Sequence, residues 1–318
     1  MAYLVTGGTG FIGSYVVRDL LHKGKEVVCF QRSATTPLFQ DVVPEQDMRK
    51  VRIVQGSVDD AVCLFHTVRE NNIEVIVHLA YLLGPESQRQ PELALKINCL
   101  GWSNIFEAAR LFGVRRIVWT SSANVFGRLG ESVKEAVKDN ALHDPVTLYG
   151  ATKALNEFMA QLYFQRFKVD SIGLRPGRVY GAGKMTVGDR EFSAILQKAP
   201  LDLPVTIHYA DVGWHCVYVE DLSRLIILAC EAPPTKTRVF NVSDGAYYNG
   251  WQLAEVVQKI NPKANVTVEA TSGWLYYWPR VDISAVKEEL GWQPEYSLEQ
   301  GLKKIFNYYR HREGMPPL

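Results

Sequence analysis

Cysteine is sparse in this chain, and what there is lies scattered along it. The five residues at positions 29, 63, 99, 216 and 230 form no close pair and no metal-ligand spacing. That argues against a disulfide-stapled framework or a zinc ribbon and predicts buried thiols in a reducing cytoplasm. Long apolar runs are also missing, since none approaches the roughly 20 residues of a membrane span. Charge of one sign is missing too: 35 basic residues face 34 acidic ones, for a net charge of +1. A nucleic-acid partner is therefore not expected, because such proteins are usually clearly basic. The opening residues, MAYLVTGGTGFIG, lack the basic segment and small-residue cleavage site of a secretory signal. No internal repeat or low-complexity linker interrupts the chain. What remains is an ordinary globular composition, 47% hydrophobic and 22% charged over 318 residues. A chain of that length buries a core without staples and has room for about two domains.

The first half alternates β-rich runs with helical stretches. Strands are predicted at Tyr3–Thr6, Glu26–Phe30, Val51–Gln55, Val75–Leu79, Arg116–Thr120 and Ser171–Arg175. Several are continuous apolar runs, the pattern of strands buried on both faces. Ile12, Val16, Val17, Leu20 and Leu21 fall at helical spacing, and Lys23-Gly24 ends that run. Longer helices are predicted over Leu95–Phe112 and Ala151–Phe167. Strand–helix alternation of this kind predicts an α/β Rossmann-type, doubly wound parallel sheet covered by helices on both sides. After Arg175 glycine and proline become frequent and the strands shorten. The expected division is a dinucleotide-binding domain over 1–175 and a smaller C-terminal α/β substrate lobe over 176–318. The lobe is interwoven, with about 212–245 returning to the first domain. Val239–Val242 reads as one more sheet strand, and Ala254–Ile260 and Ser284–Leu290 as small helices.

Residues 6–13, TGGTGFIG, follow a strand and open a helix. Gly7, Gly10 and Gly13 permit a tight turn and close backbone approach. The free N–H groups at the helix start, beside Phe11 and Ile12, suit a diphosphate. At the end of the second strand, an acidic residue would bind the ribose hydroxyls of NAD. This chain carries Gln31-Arg32 there, so no carboxylate repels a 2′-phosphate and Arg32 is placed to clamp one. NADP is the favoured expectation and NAD the alternative, with Gln31 touching the ribose.

Tyr149 and Lys153 stand four apart in TLYGATKALNEF and share one helix face. A nearby ammonium lowers the phenol's pKa of about 10 and makes it a usable proton carrier. The spacing recurs by chance at Tyr180 and Lys184, in a glycine-rich loop where nothing fixes the pair. Tyr149 stands out through its company. Thr120-Ser121-Ser122 ends the strand RIVWTSS at the carboxyl edge of the sheet, where ligands bind. Ser122 would orient a substrate oxygen, Tyr149 would give or take its proton, and Lys153 would tune Tyr149 and hold the nicotinamide ribose.

With these residues the chain resembles the extended short-chain dehydrogenases/reductases, the group that includes nucleotide-sugar epimerases and dehydratases. The resemblance runs nearly end to end, through TGGTGFIGS, VIVHLA, NCLGWSNIFEAAR, WTSSANVFG, YGATK, LRPGRVYG, VYVEDL, FNVSDG and VDISAVKEELGWQPEYSLEQGL. It implies an NAD or NADP cofactor and a Ser122–Tyr149–Lys153 triad supported by Asn98. It places Ser57 and Val58 at the adenine, and Leu79, Ala80, Pro176 and Val179 along the cofactor. It also implies a homodimer through Leu95–Phe112 and Ala151–Phe167.

The departures bear on substrate. Sugar dehydratases of this group usually carry Asp-Glu after the triad Ser/Thr. Here the residues are Ala123-Asn124, which disfavours dehydration and leaves Asn124 to hydrogen-bond substrate. Ser57 stands where an adenine-side Asp is usual. Trp214 falls near the slot of a diphosphate-binding arginine, and Arg178 replaces a usual Asn. Arg178 and Arg280 are candidates for an anionic group. Trp214, Trp274, Tyr276, Tyr277 and Trp278 form an aromatic set that suits packing or a ring-bearing substrate. His208 and His215 are weaker catalytic candidates. The first functional expectation is an NAD(P)-dependent oxidoreductase transferring hydride to or from a small hydroxyl or carbonyl substrate. The alternative is a nucleotide-sugar 4-epimerase with tightly held NAD. A non-catalytic dinucleotide sensor ranks last.

Overall fold

The computed structural model describes residues 1–33, 35–129, 133–183, 190–271 and 278–318. Trp274, Tyr276, Tyr277 and Lys184 lie outside the described residues. A seven-stranded sheet forms the centre. Its strands are β1 (Ala2–Thr6), β2 (Glu26–Gln31), β3 (Val51–Gln55), β4 (Ile73–His78), β5 (Arg116–Thr120), β6 (Ser171–Pro176) and, late in the chain, β10 (Val239–Val242). The last of these pairs with β6, every pairing is parallel, and β4 and β2 flank β1. Strand order therefore reverses between β1 and β4, which opens a crevice at their carboxyl ends.

Helices cover both faces, as buried parallel strands require. On one face α1 (Phe11–His22) buries Val16, Val17 and Leu20 against the helix Val219–Glu231 and the strands. On the other, α2 (Ala61–Glu70), α3 (Trp102–Phe112) and α4 (Leu148–Phe167) pack around Trp102, Phe106, Trp119 and Tyr163. The stretch predicted as one helix from Leu95 is broken: Pro91–Leu95 runs into a π-helical turn, Lys96–Gly101, and then into α3. The wide turn occurs where Gly101 packs on Val58, so closely that a Cβ would lie 2.4 Å from the valine Cγ2.

The later chain adds two small two-stranded sheets. Strand β7 (Arg178–Tyr180) pairs with β9 (Cys216–Tyr218), and β8 (Val205–Ile207) with β11 (Val266–Val268). This part has its own core of Phe192, Tyr209, Trp214, Leu302 and Phe306. The C-terminal helix Leu298–Arg312 has no counterpart among the predicted helices. Ser297 caps it, accepting from Gln300 N, and the Gln300 side chain returns the bond. All five cysteines are free thiols. Among the described residues no helix is long and apolar enough to cross a membrane.

Candidate active site

A single cavity of about 860 Å³ runs from Arg32, Ser57 and Val58 at one end to Arg178, Trp214 and Trp278 at the other. Between them it is lined by Gly7, Gly10, Gly13, Leu79, Ala80, Ser122, Tyr149, Pro176 and Val179. Phe11, Ile12, Gln31 and Asn124 also line it.

The glycine loop is shaped by backbone. Gly7 has φ of +68°, a left-handed conformation that suits glycine, and its N–H donates to Phe30 O at 3.0 Å. A Cβ at Gly13 would lie 2.2 Å from Gly7 O, so the helix can start this close to the loop only with glycine. Gly10 is the N-cap of α1 and offers no side-chain acceptor to the free N–H groups behind it. Those donors face the cavity with no carboxylate in the first turn, which fits a diphosphate. Gln31 has a structural job the sequence did not disclose. Its Oε1 accepts from Thr9 N at 3.0 Å and its Nε2 donates to Ser33 O at 2.8 Å, so its amide braces the loop. Thr6 does similar work at the crevice floor: its Oγ1 accepts from Leu79 N and Ala80 N and lies 2.8 Å from His78 Nδ1. Ser57 donates to Asp59.

The three residues expected to form the triad come from two places, the turn after β5 and the helix α4. Ser122 follows β5. Its Oγ accepts from Asn124 N at 3.2 Å and from Asn124 Nδ2 at 3.0 Å. Two donors fill the lone pairs of that oxygen, so the Ser122 proton is directed to a further acceptor. Asn124 thus holds the Ser122 hydroxyl and also lines the cavity. Tyr149 lies in the first turn of α4. Thr147 caps that helix, accepting from Gly150 N at 3.1 Å. A Cβ on Gly150 would stand 2.5 Å from Asn124 O, so this glycine lets the helix start press onto the Ser122–Asn124 turn.

Lys153 departs from expectation. It is completely buried and does not line the cavity. Its Nζ donates to Thr120 O at 2.5 Å and rests on the ring of Tyr81, 2.7 Å from the centroid. Burial pushes its pKa well down, against the nearby Glu157 carboxylate, which raises it. Asn98 is likewise buried off the cavity. Its carboxamide grips the Leu82 backbone in both directions, accepting from N at 2.8 Å and donating to O at 3.0 Å. It holds the Tyr81–Leu82 segment beside the cavity.

Behind Ser122 and Lys153 lies a cluster that sequence reasoning missed. Glu157 accepts from Arg175 Nε at 2.7 Å and Nη2 at 2.6 Å, from Ser121, and faces His143 Nε2 at 3.1 Å. Burial would raise its pKa, but the Arg175 and His143 contacts outweigh it and hold the carboxyl down to about 2. Its position four residues after Lys153 was the available signal.

At the far end Arg178 is buried in an aromatic box, its guanidinium 4.5 Å from the Trp214 ring centroid, 4.6 Å from Phe192, 5.3 Å from Tyr209 and 5.9 Å from Trp278. Arg280 is not its companion. It is exposed, stacks on Tyr247 at 4.9 Å and does not line the cavity. Its backbone explains this: Arg280 O accepts from Val137 N, which ties the segment to the buried Val137. His215 is buried behind Arg178, its pKa brought down to about 4 by burial and then by the guanidinium's charge. His208 is a surface group paired with Glu191 and Glu269, away from the cavity. Tyr180 is a buried strand residue donating to Ser297 O, so the chance Tyr–Lys spacing is not on a helix.

Known proteins align with this chain over nearly its whole length. A UDP-glucose 4-epimerase of Mycolicibacterium smegmatis is 27% identical, covering 98% of this chain and 99% of its own. The structure of a Thermotoga maritima UDP-glucose 4-epimerase with UDP-glucose matches with a TM-score of 0.86 at 26% identity, covering 98% and 100%. The Thermus thermophilus UDP-glucose 4-epimerase complex with NAD matches with a TM-score of 0.83 at 26% identity, covering 98% and 99%. Residues 3–243 match the model of the NAD dependent epimerase/dehydratase family, and the chain belongs to that family.

Proposed function

We propose that this protein is a nucleotide-sugar 4-epimerase working with NAD. The observation that carries the reading is the end-to-end match to UDP-glucose 4-epimerases, over 98% or more of both chains. The geometry supports it. Tyr149 and Ser122 line one cavity with the glycine loop, and Ser122 has its proton left to donate. A nicotinamide dinucleotide, when bound, supplies the acceptor and donor of hydride. Gly7, Gly10, Gly13 and the start of α1 would hold its diphosphate, and Ser57 and Val58 its adenine end. Tyr149 takes the proton from the sugar hydroxyl as the carbon loses hydride, and Ser122 donates to the resulting carbonyl oxygen. After the sugar has turned, Tyr149 would return the proton to the same oxygen, so the protein's groups would end as they began and a bound dinucleotide would undergo no net change.

The preference for NADP drawn from Gln31 and Arg32 finds no support among these relatives, and Gln31 is occupied with the loop. The reading also includes a homodimer. Leu100, Leu155, Phe158 and Leu162 are exposed on the π-helical turn and α4, with Phe158 at 68%. Phe158→Glu should convert a dimer to a monomer in light scattering.

Net oxidation or reduction of a small compound is the second reading. It is favoured by the buried Trp214 on the cavity wall and the absence of Arg280 from it. One experiment separates the two. The purified chain is incubated with UDP-glucose, with products resolved chromatographically and nicotinamide absorbance followed. UDP-galactose at constant absorbance supports epimerisation. No conversion of any UDP-sugar, with net absorbance change on a carbonyl or alcohol, overturns it.

A further inference from the structure

Tyr81 stands between the buried lysine and the cavity. It lines the cavity, whereas Lys153 does not, and the Lys153 ammonium lies against its ring. Tyr149 is on the same side, its ring centroid 5.5 Å from Lys153 Nζ. A desolvated ammonium needs compensation, and few groups around it are available to give it. Glu157, one turn along α4, favours the charge, but its oxygens are engaged by Arg175, Ser121 and His143. Thr120 O satisfies one N–H. On the β4 side His78 is neutral, since burial and then the lysine's charge hold its pKa down to about 3. Cys99 and Asn156 face Tyr81, and burial raises the Cys99 thiol, so it carries no charge at neutral pH. The ring of Tyr81 is itself fixed, by the His78 ring at 4.8 Å and by Asn98 gripping the next residue.

We propose that Tyr81 is a positioning residue: its π face seats the Lys153 ammonium beside the Tyr149 phenol and keeps it charged. This rests on the assignment of Tyr149 and Lys153 as the proton-handling pair. A desolvated cation–π contact favours the charged lysine by on the order of tenfold or more. Without the ring the ammonium population falls, and Tyr149 loses the cation that favours its phenolate. Tyr149 should then ionise about one pH unit higher.

The ionisation of Tyr149 is read without substrate or cofactor, as the tyrosinate absorbance difference between each chain and its Tyr149→Phe counterpart. Tyr81→Phe keeps the ring and should leave the Tyr149 transition in place. Tyr81→Leu should raise it by about one unit. Phenylalanines of increasing fluorination at position 81 preserve the packing if the leucine variant does not fold, and should raise it stepwise as the π face weakens. A transition that ignores fluorination, or that Tyr81→Phe moves as far as Tyr81→Leu, overturns the proposal. An unaltered chain in which Tyr149 ionises like a solvent-exposed tyrosine overturns the proton-handling assignment as well, and is a distinct result.

Discussion

The two ends of the cavity are built from different materials. The dinucleotide end is backbone: a left-handed glycine, a helix start without side-chain cap, and a Gly13 that touches Gly7 O. The Arg178 end is side chain: one buried guanidinium among four aromatic rings. A backbone-built end accepts a ligand whose shape is fixed, because moving it means moving a strand and a helix together. An end built of side chains can be remodelled one residue at a time.

The largest effect falls at the seam between the two. Tyr149→Phe should lower turnover about 10²–10⁴-fold, the usual share of a proton-transfer group, while dinucleotide affinity by fluorescence titration stays unchanged. If affinity falls in step with turnover, Tyr149 belongs to the dinucleotide end and the division is misplaced.

A paired experiment tests the contrast itself. Gly13→Ala sets a Cβ against a carbonyl oxygen that cannot retreat, so dinucleotide binding should be lost and stability should fall by about 1–3 kcal/mol in thermal unfolding. Arg178→Gln should leave dinucleotide affinity intact and raise the KM for a UDP-sugar about 10–100-fold, the value of charge-assisted hydrogen bonds to an anion. An Arg178 variant with unaltered KM would reduce the aromatic box to packing.

The same contrast governs what could be read from sequence. The sheet strands and the glycine loop were legible because each is a local pattern: an apolar run, or glycines at fixed offsets before a helix. Ser284–Leu290 matches its predicted bounds, and Val239–Val242 joins the sheet as the further strand expected. The C-terminal helix is amphipathic but rich in charge, so its apolar residues Leu302, Ile305 and Phe306 stood out less than the turn residues before it. Tyr81 and Glu157 were not legible for another reason. Tyr81 continues the apolar run of β4, and its meeting with Lys153 joins residues 72 apart in sequence. Arg280 shows the converse, a residue type suited to an anion whose backbone ties it elsewhere.

Each end also hides one neutral histidine, His78 beneath the dinucleotide crevice and His215 behind Arg178. Burial lowers their folded pKa values to about 3 and about 4, below the unfolded value of about 6.5. Below pH 6.5 the unfolded chain takes up protons that the folded chain refuses, so these groups' share of stability falls as pH drops toward 4. The slope should approach two protons' worth, about 2.7 kcal/mol per pH unit, in denaturant titrations across that window. His78→Asn or His215→Asn should each remove about half of it. A single variant that removes all of it would mean that one end alone carries the acid sensitivity.

The smallest effect belongs to Arg32, at the rim of the backbone-built end. It is exposed, and an exposed charged contact is worth about 1 kcal/mol or less, so Arg32→Ala should alter NAD affinity by no more than about fivefold. Its effect on NADP is the sharper measurement. A guanidinium that clamps a 2′-phosphate makes charge-assisted bonds worth about 1.5–3 kcal/mol, so its loss would cost NADP roughly tenfold or more while sparing NAD. With Gln31 bracing the loop through Thr9 and Ser33, Arg32 is the side chain at this edge suited to discriminate the two. Equal, small losses for both dinucleotides would mean that the rim contributes no selection and that cofactor choice, like the diphosphate grip, resides in the backbone.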